Sequence, residues 1–269
     1  QEFSGMCGIV GYVGPREAVD VLIPGLRRLE YRGYDSSGVA TLRGGNFALC
    51  KTAGRIDRLA ESLIDSPCPG QVGIAHTRWA THGGATDENA HPHYGGNGIL
   101  ALAHNGVIDN CDPLREKLKQ LGYEFHSATD SEVIAHLIAS HLEAAQQAAD
   151  GNGAAADDPY AVLISAVQKS LAELRGTYGL AIAFRDYPEV LIAARLGSPL
   201  VVGVGADEHF IASDASPLVG YTDKIVYLAD NELAVITRDE LRVIHRDQGH
   251  VEHLVSQLEY DATDVDLGG

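Results

Sequence analysis

The sequence predicts an α+β fold in which two stacked, mainly antiparallel sheets are flanked by helices. Its 269 residues hold roughly ten to twelve short strand patterns and about five helical patterns, separated by frequent turn signals. The helices do not alternate regularly with the strands, which disfavours a doubly wound parallel sheet. No internal repeat indicates a solenoid or a propeller.

The first half of the chain predicts five strands and two helices. Alternating apolar residues indicate strands, and apolar residues at helical spacing indicate helices. The strands are predicted at 7–13, 37–43, 46–52, 71–79 and 98–109, and the helices at 16–30 and 55–65. Gly44-Gly45, between the second and third strands, predicts a hairpin turn.

Helix-start signals organise the middle of the chain. Asp112-Pro113 predicts a helix with an aspartate N-cap and a proline at the first helical position. Thr129-Asp130-Ser131-Glu132 predicts a capping box before the apolar run 133–142. The low-complexity stretch 144–158 predicts a mobile surface excursion, after which a helix runs to about residue 174. Seven strands are predicted beyond it, at 177–185, 190–194, 200–204, 209–213, 224–228, 232–237 and 241–246.

Composition excludes several classes of partner. The chain is 45% hydrophobic and 21% charged, as an ordinary globular protein is, and its net charge is −17. Such an acidic surface repels phosphate backbones and anionic lipids, so we expect no nucleic-acid or membrane partner. No apolar run approaches the ~20 residues that a membrane-spanning helix needs. Four scattered cysteines and no signal peptide predict a reducing cytoplasm.

The sequence gives little support for a cofactor or a metal. Gly8, Gly11 and Gly14 lie within a strand pattern and do not form a dinucleotide-binding fingerprint, and there is no phosphate-binding P-loop. Five histidines are concentrated between residues 76 and 104, but their spacing with nearby carboxylates matches no known ligand set. We therefore expect no cofactor, although a zinc hydrolase remains an alternative.

Cys7 is the first candidate for chemistry. It follows Met6, the only methionine, and residues 1–5 resemble a vector-derived scar. Removing residues 1–6 would leave a cysteine with a free α-amine, which is a nucleophile with a base attached. The alternative is a small buried cysteine at the start of a core strand.

An Asn-Gly pair at the end of an apolar strand offers donors for an oxyanion. Asn105 supplies an amide side chain and Gly106 a backbone N–H. Preorganised donors of this kind stabilise the tetrahedral intermediate that forms when a thiol attacks an amide. The alternative is an ordinary Asn-Gly turn.

A second cluster has the residue types that bind a free amino acid. Arg78 can hold an α-carboxylate with two parallel hydrogen bonds, Thr81 adds a hydroxyl, and Trp79 can wall the pocket. His82 is an alternative general base for the cysteine. Asp130 can pair with an α-ammonium, or it can simply offset the dipole of its helix.

Six motifs occur together, in order, in a known family. They are CGIVG at 7–11, LEYRGYDS at 29–36, HTRWATHG at 76–83, NAHPH at 89–93, HNG at 104–106 and TDSE at 129–132. The chain resembles the glutaminase half of the glutamine–fructose-6-phosphate aminotransferases, which are class II glutamine amidotransferases of the N-terminal-nucleophile hydrolase family. The resemblance runs from residue 6 to about 262, where QLEYDA at 257–262 is similar to the end of that half.

The resemblance implies an αββα sandwich and a role for each candidate residue. Cys7 would be the nucleophile, with its α-amine as base, and Asn105 with Gly106 would form the oxyanion hole. Arg78 and Asp130 would bind the carboxylate and ammonium of L-glutamine. Thr81 and His82 would help to position the substrate. Trp79 would lie at the exit toward an ammonia channel, and Arg32 would lie close to the cysteine.

The same resemblance predicts the organisation of the chain. Residues 1–6 would be the scar and initiator methionine, 7–250 the glutaminase domain, and 251–269 the start of a linker. The linker would lead to a sugar-phosphate isomerase half that this chain lacks, in a homo-oligomeric enzyme of amino-sugar synthesis. With Met6 attached, the nitrogen of Cys7 is an amide, so we expect impaired activity until residues 1–6 are removed.

Two further interpretations stay open beside this one. Amidophosphoribosyltransferases share the nucleophile and the fold, although the motifs at 29–36 and 76–83 resemble the sugar-phosphate enzymes more closely. A glutamine-sensing module without turnover would need the pocket but not the thiol.

Overall fold

A computed structural model describes residues 7–79, 83–150 and 158–258 of the chain. In this part the chain forms two antiparallel sheets, each covered by helices on its outer face. The strands are β1 (Gly8–Val13), β2 (Ser36–Arg43), β3 (Asn46–Ala53), β4 (Val72–Arg78), β5 (His93–Gly95), β6 (Leu100–Ile108), β7 (Gly176–Phe184), β8 (Tyr187–Leu196), β9 (Val201–Val204), β10 (His209–Ala212), β11 (Lys224–Tyr227), β12 (Glu232–Ile236), β13 (Leu241–His245), β14 (Gly249–Val251) and β15 (Ser256–Gln257). The α-helices are α1 (Val19–Arg27), α2 (Ile56–Asp65), α3 (Cys111–Gln120), α4 (Asp130–Asp150) and α5 (Ala161–Glu173).

Strand order places β1 beside β4 inside the first sheet, and β6 beside the edge strand β5 in the second. The first sheet has eight strands in the order β15-β11-β9-β10-β1-β4-β2-β3, and the second has seven in the order β14-β13-β12-β8-β7-β6-β5. Helices α1 and α2 pack on the first sheet, whereas α4 and α5 pack on the second. The four layers confirm the α+β, αββα architecture expected from the sequence.

Alternation along each strand divides its side chains between two cores. In β6, Leu100 and Leu102 face α4 and α5, whereas Ala101 and Ala103 face the other sheet. The first sheet meets these alanines with branched side chains such as Ile9 and Ile74. Small residues on one sheet therefore complement large residues on the other, as dense packing requires.

Every predicted strand has a counterpart in the structure, and the Gly44-Gly45 turn has the expected geometry. Both glycines have positive φ, at 55° and 76°, as a two-residue hairpin turn of type I′ requires. The sequence missed β5, β14 and β15, which have three residues or fewer and so show no alternation. Strand β15 lies in the range expected to be linker, where it pairs with β11.

The start of α3 differs from the sequence-based prediction. Helix α3 begins at Cys111, so Asp112 lies in its first turn and is not the N-cap. Pro113 is tolerated there because N–H groups in the first turn have no partner within the helix. The Asn110 side chain, at the N-cap position, instead bonds the backbone of Glu173 and Arg175 at the end of α5, both at 2.9 Å.

At the start of α4, only one of the two hydrogen bonds of the predicted capping box forms. The Glu132 N–H donates to Thr129 Oγ1 at 3.3 Å, as predicted. The Glu132 carboxylate reaches past the N-cap and accepts from the N–H groups of His126 and Ser127, at 2.8 and 2.7 Å. It therefore anchors the preceding loop onto the helix.

The expected surface excursion at 144–158 is partly helical. Helix α4 continues through Asp150, consistent with the high helix propensity of the alanines and glutamines in this stretch. Residues 151–157 lie outside the described part of the chain. In that described part, no helix has the length and apolar character needed to cross a membrane.

We predict that enlarging an inter-sheet alanine destabilises the fold. Ala181→Leu adds volume to a fully buried position between the sheets, so it should cost about 1–3 kcal/mol of unfolding free energy. The matched control, Ala144→Leu, lies on an exposed face of α4 and should be nearly neutral. Urea denaturation of both variants measures the difference, and equal midpoints would contradict close packing between the sheets.

Candidate active site

The candidate residues meet where the two sheets approach each other at one end of the inter-sheet layer. Gly8 of β1 pairs with Thr77 of β4, which brings Cys7 beside the end of β4. Asn105 of β6, in the other sheet, donates from Nδ2 to the Cys7 carbonyl oxygen at 3.1 Å. Strands from both sheets therefore contribute to one site.

Gly8 fixes the backbone next to the nucleophile. A Cβ atom at this position would lie 2.9 Å from Leu29 Cβ and 2.9 Å from Thr77 Cγ2. Such contacts are closer than packed carbon atoms allow. Only glycine fits here, and Cys7 is held at the end of β1 by this tight packing.

The Cys7 thiol hydrogen-bonds to the backbone of Trp79. The Trp79 N–H donates to Sγ at 3.4 Å, and the Trp79 carbonyl oxygen lies 3.6 Å from Sγ, where it can accept the thiol proton. Burial raises the pKa of this thiol above its usual value, and the Trp79 N–H and the Arg78 charge only partly oppose that rise. The thiol is therefore protonated at neutral pH and needs a base to become a nucleophile.

The Asn105 side chain is held at both ends. Its Nδ2 contacts the Cys7 carbonyl, and its Oδ1 lies 3.0 Å from Nε2 of His76, a buried residue of β4. In the sequence, His76 stands out only as one member of a cluster of histidines. Its position on the same face of β4 as Val72 and Ile74 is the signal that it points between the sheets.

Gly106 adopts a backbone conformation that strongly favours glycine. Its φ is 130°, and a Cβ atom would lie 2.2 Å from the carbonyl oxygen of Thr177 on β7. Gly106 directly follows Asn105 in β6, so its N–H and the Asn105 amide are close together in the chain. This pair of donors suits an oxyanion.

Arg78 is a buried cation at the end of β4. Its guanidinium donates to the carbonyl oxygens of Gly84 and Gly83, at 3.1 and 3.3 Å. Asn89 supports the same turn by donating to Gly84 at 3.1 Å and accepting from Ala128 at 2.9 Å. A planar guanidinium held in this way is suited to binding a carboxylate.

Asp130 lies at the start of α4 and faces β6. Its Oδ2 accepts from the Ile108 N–H at 2.9 Å, and its Oδ1 lies 4.0 Å from His104 Nδ1. Ser131 lies between these groups, with its Oγ 2.9 Å from His104 Nδ1. The carboxylate is 5% exposed and close enough to Cys7 to raise the thiol pKa slightly, so it provides negative charge near the nucleophile.

Of the four remaining candidates, Trp79 and Arg32 lie in the described part of the chain. Trp79 is 45% exposed and packs edge-on against Tyr34, with ring centroids 6.3 Å apart. The Arg32 side chain forms an ion pair with Asp214 at 3.1 Å. Thr81 and His82 lie outside the described residues, so their predicted roles stay predictions.

The buried histidines hydrogen-bond to protein groups. His91 Nδ1 accepts from the His104 N–H at 3.3 Å, and His93 Nε2 lies 3.0 Å from Thr129 Oγ1. Burial holds the pKa of His91 and of His93 well below the usual value, so both rings are neutral. Within the ranges that the structure describes, no group of three or more His, Cys, Asp or Glu is arranged to hold a metal ion.

A cavity of about 700 Å³ lies among β3, β5, α4 and the loop at 121–126 that follows α3. Its lining includes Lys51, His93, Glu132 and His136, but none of the predicted site residues. Burial lowers the pKa of Lys51 to about 8. Cavity size therefore does not identify the site that the sequence motifs predict.

We predict that Gly106→Ala is far more destabilising than a glycine-to-alanine change at an open site. Gly98→Ala is the matched control, because Gly98 also has positive φ, at 70°, but a Cβ atom added there would have no other atom within 4 Å. The control should cost about 1–2 kcal/mol of backbone strain. Gly106→Ala should cost at least ~2 kcal/mol more by urea denaturation, and equal costs would contradict the close approach to Thr177.

We also predict that Cys7 alkylation depends on pH in the direction set by its raised pKa. With Met6 attached, the rate with iodoacetamide should be low at pH 7 and should still increase above the ordinary thiol pKa of about 8.5. Peptide mass mapping across pH 7–10 measures this rate. A rate that levels off below about pH 8 would show that the thiol is already activated.

Sequence comparisons place these features in a family. The glutamine amidotransferase domain family matches residues 76–220. The glutamine–fructose-6-phosphate aminotransferase (isomerizing) of Bacteroides thetaiotaomicron is 46% identical over 266 residues, covering 98% of this chain and 41% of the relative. The enzyme of the same name from Pyrococcus horikoshii is 45% identical over 234 residues, covering 87% of this chain and 37% of the relative.

A solved structure supports the same assignment. The glutamine phosphoribosylpyrophosphate amidotransferase from B. subtilis superposes with a TM-score of 0.72 at 26% identity, covering 91% of this chain and 50% of that one. The chain spans about two fifths of the length of the first of these curated relatives. The family resemblance drawn from the six motifs is confirmed, and the chain belongs to the class II glutamine amidotransferase domain family.

Proposed function

We propose that this chain hydrolyses the side-chain amide of L-glutamine to glutamate and ammonia, with Cys7 as the nucleophile. The observation that carries the proposal is the meeting of Cys7, Asn105 and the buried Arg78 at one end of the inter-sheet layer. A thiol, an oxyanion donor and a carboxylate-binding cation are the three groups that this reaction needs around a free amino acid.

Activation of the thiol is the first step. Because burial raises the thiol pKa, a base must remove the proton, and the α-amine of Cys7 serves once residues 1–6 are gone. An α-amine titrates near 8, so a fraction of it is unprotonated at neutral pH and can take the thiol proton. Sγ then bonds to the amide carbon of glutamine, and the proton passes from the amine to the leaving ammonia.

Stabilisation of the intermediate falls to β6. The carbonyl oxygen of the substrate becomes an oxyanion, which accepts from Asn105 Nδ2 and from the Gly106 N–H. Nδ2 carries two hydrogens, so it can hold the Cys7 carbonyl with one and the oxyanion with the other. Loss of ammonia leaves a γ-glutamyl thioester, which water cleaves to release glutamate and the free thiol.

Recognition of the substrate uses opposite charges. Arg78 binds the α-carboxylate of glutamine, and Asp130 binds its α-ammonium. Thr81 and His82 help to position the substrate, Arg32 lies close to Cys7, and Trp79 lies at the exit toward an ammonia channel. A ligand that lacks either charged group should therefore bind weakly.

The whole protein would use the ammonia on a sugar phosphate. The two curated relatives are named for the amination of fructose 6-phosphate, which supports that reaction over a phosphoribosyl transfer. We propose that a sugar-phosphate isomerase half completes the enzyme, as an oligomer in the cytoplasm. A linker beginning near residue 251 would join the two halves.

The test compares two forms of the chain for ammonia release from L-glutamine. A form beginning at Cys7 should be active, whereas the form that retains Met6 should be slower by about 10²–10⁴-fold, the usual contribution of a general base. Coupled glutamate dehydrogenase measures the rate. Equal rates would show that the α-amine is not the base.

Cys7→Ala in the trimmed form provides the control for the nucleophile. It should abolish ammonia release while leaving L-glutamine binding, measured by calorimetry, within about threefold of the parent. A glutamine-sensing module would bind without releasing ammonia in either form. Activity retained by Cys7→Ala would overturn the proposed mechanism.

A further inference from the structure

We propose that His76 is a positioning residue that fixes the orientation of the Asn105 amide, so that Nδ2 and not Oδ1 faces the place where the oxyanion forms before substrate binds. The inference rests on the proposed function, since it concerns the oxyanion donor of that reaction. His76 itself does not touch the substrate in this proposal. It acts only through Asn105.

The orientation follows from the hydrogen-bond partners of His76 Nε2. This nitrogen lies 3.1 Å from the carbonyl oxygen of His104 and 3.0 Å from the side-chain oxygen of Asn105. A backbone carbonyl can only accept a hydrogen bond, so Nε2 must carry a hydrogen. A donor at Nε2 in turn requires that Asn105 present Oδ1, the acceptor, toward β4.

The Nδ2 end of the Asn105 amide independently requires the same orientation. The Cys7 carbonyl also only accepts, and it lies 3.1 Å from Nδ2. Without the His76 donor, one of the two restraints disappears, and the amide can rotate to bring Oδ1 toward Cys7. An oxygen in that place would repel the developing oxyanion instead of binding it.

The protonation state of His76 keeps this donor constant. Burial, with the nearby Arg78 and His104, lowers the pKa of His76 to about 3, so the ring is neutral throughout the range in which the enzyme would work. A neutral ring with hydrogen on Nε2 has a bare Nδ1. In the described part of the chain, Nδ1 has no hydrogen-bond partner, so no second donor or acceptor competes for the tautomer.

Stacking holds the plane of the His76 ring, because Nδ1 of that ring makes no hydrogen bond among the residues that the structure describes. The His76 and His91 rings stack with centroids 4.1 Å apart and planes 26° apart. His91 is itself fixed by the His104 N–H at 3.3 Å. His76 therefore stacks on a ring that is anchored to His104, the residue before Asn105. The His76 ring cannot turn freely, so its Nε2 donor is held in place before substrate binds.

The experiment uses the chain beginning at Cys7 and measures kcat and KM for L-glutamine. His76→Phe keeps a flat ring for stacking but removes the donor, so kcat should fall at least tenfold, toward the ~10²–10³-fold loss of an oxyanion donor. KM should change by less than about threefold, because the charged ends of glutamine are bound elsewhere. His76→Gln restores an N–H donor and should recover at least part of kcat.

A double-mutant cycle separates positioning from a general loss of structure. If His76 acts through Asn105, His76→Phe should lower kcat no further in an Asn105→Ala background. His93→Phe is the control for removing a buried histidine that does not contact Asn105, and it should not cause a comparable loss of kcat. Thermal unfolding of each variant reports whether it is folded.

Three results would overturn the proposal. They are a normal kcat for a folded His76→Phe, failure of His76→Gln to exceed His76→Phe, and losses from the His76 and Asn105 changes that multiply. If Cys7→Ala stays active, the proposed function fails as well. If Cys7→Ala is inactive while His76→Phe retains full kcat, only the positioning role is wrong.

Discussion

The hydrogen bond from Asn105 Nδ2 to the Cys7 carbonyl oxygen joins the two sheets at the candidate site. Cys7 belongs to the first sheet through β1, and Asn105 to the second through β6. The distance between nucleophile and oxyanion donor is thus set by how closely the sheets pack. The alanines of the second sheet keep that spacing small along the whole layer.

The site is the place where this layer changes from apolar to polar. Each contributing segment carries small or branched apolar residues on its inner face, with a polar residue two positions away from them on the same face. Cys7 lies two residues before Ile9, just ahead of β1, whereas His76 follows Ile74 in β4 and Asn105 follows Ala103 in β6, each by two residues. The apolar part supplies rigidity, and the polar part supplies reactive groups in a desolvated environment.

Much of this could be predicted from the sequence, because alternation and turn chemistry are local signals. The hairpin at Gly44-Gly45, the helix at residues 130–142 and most strands follow from such signals. Strand β15 could not be found in this way, because its pairing partner β11 lies far along the chain. Strand β14 pairs with the adjacent β13 but has only three residues, too few to show alternation. Asn105 and Arg78 were identified by residue type and motif, whereas the part played by His76 depends on a contact between strands of different sheets.

Because the pKa of the Cys7 thiol is raised, the proposed reaction depends on the N-terminal α-amine to remove the thiol proton. Arg78 and the Trp79 N–H favour the thiolate, but burial and the carboxylates of Asp35 and Asp130 oppose it more strongly. A site that binds an ammonium needs negative charge, and that charge disfavours the thiolate. An attached base that transfers the proton only during reaction resolves this conflict, because the anion need not persist in the free enzyme.

The tight packing around Gly8 has a consequence for how this protein tolerates sequence change. Leu29 and Thr77 touch the backbone beside the nucleophile, although neither has a polar group directed at a substrate. An exchange at either position that displaces the Gly8 backbone would displace the adjoining Cys7 with it, even in a chain that still folds. Selection on turnover would therefore constrain these two side chains more severely than selection on folding.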